Sequence, residues 1–160
     1  MDKVNLFSQK KQLNARLDGD YWKIAGKVNE EKCVFCDLKD KYIIKREKDL
    51  VLTVNLFPYI DGQLLIVPIR HVENFSQLNI NEIKQNFDLT KLGMRLLRQE
   101  IKVRGIWVIL RDGNLGSQSG KTVKHLHWNI MPYEEGINTW HYQKITIPPI
   151  DLADKLRRKL

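Results

Sequence analysis

Between Gly120 and Asn129 the chain concentrates residue types suited to phosphoryl chemistry. His125, His127 and Asn129 recur at every second position, with Leu126, Trp128 and Ile130 between them. On an extended strand, two imidazoles and an amide then share one face, about 7 Å between neighbours, and the apolar residues share the other. The turn Gly120-Lys121-Thr122 leads into this row with backbone N–H groups, an ammonium and a hydroxyl. A neutral imidazole can attack phosphorus, and donors of this kind take up charge on the nonbridging oxygens. His127 is the candidate nucleophile. A lone strand histidine is more often a satisfied packing residue, but His125, Asn129 and the adjoining turn argue against that here. Gly120-Lys121-Thr122 does not close a P-loop, because the first glycine of that motif falls at Leu115.

A second constellation is Cys33-Val34-Phe35-Cys36, which holds both cysteines of the chain. This spacing suits a metal or a redox pair in a reducing compartment, and a tetrahedral site needs two further ligands. His71 follows an apolar strand and His125 begins the polar face of another. Together with Cys33 and Cys36 they make a closed Cys₂His₂ set, the alternative being two reduced thiols.

The elements that must carry these residues can be read from periodicity. Tyr42-Ile43-Ile44, residues 50–54, 63–67 and 106–110, and the histidine stretch read as strands. Ile80, Ile83, Phe87, Thr90, Met94, Leu97 and Ile101 recur at helical spacing and read as the core stripe of one long helix, with Asn79 or Asn81 as cap and Gly105 as stop. Gly93 should weaken that helix slightly. Antiparallel strands around one long helix give an α+β fold. Residues 1–32 read as an N-terminal arm, 33–147 as the domain and 148–160 as a C-terminal tail. In the arm, Leu6, Phe7, Leu13 and Leu17 suggest a short helix ending at Asp18-Gly19-Asp20, and Tyr21-Trp22-Lys23-Ile24 would dock it. In the tail, Leu152, Leu156 and Leu160 would pack one helix face. Trp140-His141-Tyr142 reads as a packing or surface cluster.

The 160 residues suffice for one domain with a sizeable core. No apolar run approaches membrane-spanning length and the start lacks a signal-peptide layout, so a soluble, cytoplasmic protein without membrane partners is expected. A net charge of +8 favours anionic partners without choosing among them. Part of it sits near the ends, at Lys10, Lys11, Lys155, Arg157, Arg158 and Lys159, and the bulk charge reads as a solvated face plus basic tails.

These motifs together resemble the histidine triad (HIT) superfamily of nucleotidyl hydrolases and transferases, whose signature of three histidines separated by apolar residues stands here as His125-Leu126-His127-Trp128-Asn129. The resemblance runs over roughly residues 33–133. It takes in Cys33-Val34-Phe35-Cys36, Asn55-Leu56-Phe57-Pro58, Gly62 to His71, and Asn114 upstream of Gly120. It looks closest to the diadenosine-polyphosphate-cleaving branch. It implies a nucleotidylated His127, structural zinc on Cys33, Cys36, His71 and His125, a base pocket at Phe35 and a ribose contact at Asn55. Phosphate contacts are implied at Asn114, Gly120, Lys121 and Thr122, and a homodimer that joins two central sheets.

The sequence departs from the pattern twice. Gln63 replaces a common histidine, a change expected to matter little. Asn129 replaces the third histidine, and an amide can exchange hydrogen bonds but not protons. The related uridylyltransferase branch has Gln there and passes the nucleotidyl group to an acceptor phosphate. The expected function is cleavage or transfer of a nucleoside monophosphate from a dinucleoside polyphosphate. The alternatives are a nucleotide-binding sensor with little turnover, or processing of adenylylated nucleic-acid ends, with nucleic acid the less favoured partner.

Overall fold

Runs of branched apolar residues pair into an antiparallel sheet ordered β1-β2-β3-β5-β4. Its strands are β1 (Ile43–Arg46), β2 (Leu50–Val54), β3 (Leu64–Pro68), β4 (Gly105–Leu110) and β5 (Trp128–Tyr133). The computed structural model describes residues 13–21, 23, 33–115, 120–136 and 141–160. Every residue of β2 and β3 is buried, which explains their lack of polar alternation. Strand β1 extends beyond the apolar Tyr42-Ile43-Ile44 into Lys45 and Arg46, because an edge strand can send charged side chains to water.

The long helix, α1 (Ile80–Glu100), starts at a capping box. The Asn79 side chain accepts from the backbone N–H groups of Asn81 and Glu82, and the Glu82 carboxylate accepts from Asn79 N–H at 2.8 Å. Arg70 donates to both Glu82 oxygens, which ties the helix start to the residue before His71.

The core-facing line of α1 differs from the expected stripe. Leu89, Gly93, Leu96 and Leu97 are buried, whereas Ile80 and Phe87 are 75% and 63% exposed. The apolar spacing from Ile80 is genuine, but the close approach at Gly93 rotates the helix. A Cβ at Gly93 would stand 2.8 Å from Ile130 Cδ1 on β5, so the glycine expected only to weaken the helix lets it seat on the sheet.

The second helix, α2 (Pro149–Arg157), adds Leu152, Ala153 and Leu156 to the main core. Leu160 lies past its end and is 59% exposed, so it leaves the expected face. On the opposite side of the sheet Ile43, Val51, Leu65 and Val67 pack with Phe35 and Leu38. Of the arm, residues 13–19 form turns, not a regular helix, with one helix-type bond from Asp18 N–H to the Asn14 carbonyl. Tyr21 is buried and docks as expected. Leu6, Phe7, Trp22, Ile24 and Trp140 lie outside the described residues. No helix among the described residues is long and apolar enough to cross a membrane.

Candidate metal centre and catalytic face

The alternation through residues 125–130 holds, but the regular strand begins only at Trp128. Its last pair with β3 is Ile66 with Trp128, and β3 ends at Pro68. Upstream of Trp128 the backbone finds other partners: Leu126 N–H donates to the Val72 carbonyl at 2.7 Å. The imidazole of His125 takes the Pro68 carbonyl at 3.0 Å through Nε2. Leu126, Trp128 and Ile130 enter the core under α1, leaving His125, His127 and Asn129 on the other face.

That bond from Nε2 leaves the Nδ1 lone pair of His125 available, and Nδ1 lies 3.3 Å from Cys33 Sγ and 3.6 Å from Cys36 Sγ. His71 Nδ1 is 3.3 Å from Cys36 Sγ, and its Nε2 lies 3.5 Å from the Glu73 carboxylate. The four ligand atoms all fall within 4.8 Å of one another. A tetrahedral ion with N and S ligands separates them by about 3.5–3.8 Å, so only small movements are needed. Burial, then the hydrogen bond and charge of Cys33, push the Cys36 thiol up to about 11. A cation would reverse that by favouring the thiolate. Burial likewise holds His125 down to about 4, in the neutral form a metal ligand needs. The residues fit a metal ion, and both histidines have an outer partner that orients the ring.

His127 directs Nδ1–H to the His125 carbonyl at 2.9 Å, so its Nε2 carries the lone pair. Its pKa is lowered to about 4, first by burial and then by the charges of Arg111 and Lys121. Phe35 packs edge-on against it with ring centroids 4.8 Å apart.

Arg111 was not among the sequence candidates. Leu110 pairs with Trp128, so the next residue of β4's strand path comes beside His127, and Arg111 Nη1 donates to the Gly120 carbonyl at 2.8 Å. The signal was a cation immediately after an apolar strand, but it acquires meaning only from the β4–β5 register.

The turn residues are drawn into the same neighbourhood. Gly120 adopts φ +63°, a left-handed conformation suited to glycine. Lys121 is buried and donates to the Glu73 carbonyl at 2.6 Å. The Thr122 hydroxyl meets Tyr21 OH at 2.8 Å, so the arm reaches the turn. Arg16 of the arm lies over the rings of Tyr21 and Tyr59, 3.8 and 4.0 Å from their centroids. The Tyr142 ring lies tilted against the same Tyr59, 5.4 Å between centroids, while His141 is exposed.

Asn55 receives Phe57 N–H at its side-chain oxygen, 3.0 Å, while its own N–H bonds the Gln63 carbonyl at 3.2 Å. Asn114 is exposed in the loop after β4, and residues 116–119 are outside the described part. Asn129 is buried and its oxygen accepts from Gln63 Nε2 at 2.9 Å.

This sheet, its covering helix and the histidine-bearing approach to β5 define a HIT domain, and that family description matches residues 37–136. The chain belongs to the HIT family. It is 29% identical over 115 residues to an uncharacterized HIT-like protein of Mycoplasma genitalium, covering 69% of this chain and 79% of that one. It is 33% identical over 96 residues to bis(5'-adenosyl)-triphosphatase of Saccharomyces cerevisiae, covering 59% of this chain but only 45% of the yeast enzyme. Among solved structures, a zinc-bound histidine triad family protein from Mycobacterium smegmatis shares the fold. Its TM-score is 0.66 at 18% identity, over 79% of this chain and 91% of that one.

Proposed function

We propose that the protein removes a nucleoside monophosphate group from a dinucleoside polyphosphate or related nucleotide, through a covalent adduct on His127. The state of that imidazole carries the reading. Its Nδ1–H is committed to a backbone carbonyl, its Nε2 keeps the lone pair, and burial with two nearby cations keeps it neutral. A neutral, oriented imidazole needs no base to activate it.

In the first step Nε2 bonds to the α-phosphorus, and the P–O bond to the remaining polyphosphate breaks with its electron pair on the leaving oxygen. Arg111, Lys121, Thr122 and the turn at Gly120 oppose charge gathering on the phosphoryl oxygens. Asn129 orients the phosphoryl group. In the second step water or an acceptor phosphate attacks phosphorus, and the P–N electron pair returns to Nε2. Phe35 would line the base pocket, Asn55 would hold the ribose, and Asn114 would contact the phosphate chain.

Cys33, Cys36, His71 and His125 would hold zinc, whose charge stabilises the thiolates and fixes the approach to β5. His125, engaged there and at Pro68, has no proton to give. A phosphate leaving group needs none, which favours polyphosphate substrates. The Saccharomyces relative bears the name of a dinucleoside triphosphatase, in keeping with this class. The outermost strand β4 exposes Trp107 and Val108, 37% and 43%, and a second copy joining at this edge would cover them.

The test is incubation with diadenosine tetraphosphate, with and without inorganic phosphate, followed by product analysis and intact-mass measurement. Hydrolysis yields AMP and ATP, whereas transfer to phosphate yields ADP and ATP. An AMP adduct should form and be absent from His127→Ala. Nucleotide binding with neither adduct nor turnover would overturn the enzymatic reading in favour of a sensor.

A further inference from the structure

Resting on the reading of His127 above, we infer that Gln63 is a positioning residue that fixes Asn129 as a hydrogen-bond donor to the phosphoryl group or its leaving oxygen. The orientation follows from a chain of bonds that begins at the main chain. Tyr59 N–H lies 2.7 Å from Gln63 Oε1. A backbone N–H can only donate, so this end of the Gln63 amide is the oxygen. The other end, Nε2, donates to Asn129 Oδ1 at 2.9 Å. Asn129 must therefore present Nδ2 on its remaining side. That atom is buried and has no hydrogen-bond partner among the described residues. Gln63 and Asn129 are 1% and 2% exposed, so water does not reorient either amide.

The placement suits a ligand contact. Asn129 lies two residues beyond His127 on the same face and pairs with Leu65 of β3, diagonal to Gln63. Tyr59, which anchors the chain of bonds, has the Arg111 guanidinium 5.5 Å from its ring centroid. The two departures from the family pattern, Gln63 and Asn129, are thus bonded to each other and form one feature. A pair of imidazoles could pass a proton at this point; a pair of amides offers a donor of fixed charge at any pH. The buried donor would find its missing acceptor in a substrate oxygen.

Gln63→Glu is the informative variant because it keeps the shape and reverses the polarity. One carboxylate oxygen still accepts from Tyr59 N–H, while the other now accepts from Asn129 Nδ2 and turns Oδ1 toward the ligand. Gln63→Met, which exerts no orienting bond, controls for the added charge. With diadenosine tetraphosphate, kcat for Gln63→Glu should fall on the order of 100-fold, and by less for Gln63→Met, with a smaller change in KM. In ¹⁵N-labelled protein the Asn129 side-chain NH₂ signals, assigned by their loss in Asn129→Asp, should shift when AMP binds to wild type and stay unmoved in Gln63→Glu. Wild-type rates in both Gln63 variants, or Asn129 signals indifferent to AMP in wild type, would overturn the inference. Absence of turnover in wild type would refute the enzymatic reading alone, since the NH₂ signals still decide the orientation.

Discussion

Replacing Gly93 by Ala sets two effects of similar size against each other, and their balance follows from the contacts. In a helix interior Ala is favoured over Gly by about 1 kcal/mol. Against this, the new methyl would lie 2.8 Å from Ile130 Cδ1, with Leu52 Cδ1 and Leu64 Cδ1 at 3.4 and 3.5 Å. The last two are ordinary contacts; the first is not. Ile130, Leu52 and Leu64 are all fully buried, so the Ile130 methyl has no open space to enter. Overpacking of this kind costs about 1–3 kcal/mol. The expected net is a loss of about 1 kcal/mol, or about 2–4 °C in Tm for a chain of this size. Ile130→Val removes the offending Cδ1 and on its own should cost about 0.5–1.5 kcal/mol. Combined with Gly93→Ala, it should cost little or become stabilising. A double-mutant cycle from urea unfolding should therefore show favourable coupling of at least about 1 kcal/mol. Additivity within about 0.5 kcal/mol, the behaviour of independent sites, would refute the close-approach argument.

Other outcomes follow from the site. Cys36→Ser or His71→Ala should lower bound zinc, read by elemental analysis, and lower Tm; wild-type metal content in both would rule out the Cys₂His₂ centre. His127 has its pKa lowered in the fold from 6.5 to about 4, so its contribution to stability is complete above about pH 6.5 and is lost as pH falls toward 4. The loss amounts to about 3 kcal/mol. His127→Gln should shrink that acid limb, leaving the part that the likewise buried His125 contributes, and an unchanged limb in urea titrations would contradict the burial argument. Arg111→Gln should slow adduct formation on the order of 100-fold by removing the cation beside His127, and wild-type rates would exclude its role.

The alternation of His125, Leu126, His127, Trp128 and Asn129 was legible in sequence because strand geometry sends neighbours to opposite faces, whatever surrounds them. The capping box at Asn79 and Glu82 was partly legible, since it is local. Metal competence of Cys33 and Cys36 was legible from spacing, while its completion by His71 and His125 stood against the alternative of two reduced thiols until the fold brought the four side chains together. The α1 stripe was misread because the period identifies a helix but does not fix which of two adjacent apolar lines meets the sheet. The bulk and backbone clearance at Gly93 decide that.

Sequence alone therefore carried the α+β class, the long helix, the alternating histidine face and the Cys33–Cys36 pair, patterns read within each segment from residues near one another in the chain. Only the tertiary structure decided the rest. It brought Arg111 beside His127 through the β4–β5 register, delivered Tyr21 from the arm to Thr122, and joined Gln63 to Asn129 across 66 positions of chain. Such contacts depend on strand register and on which buried donors find acceptors, and neither is written in local residue order.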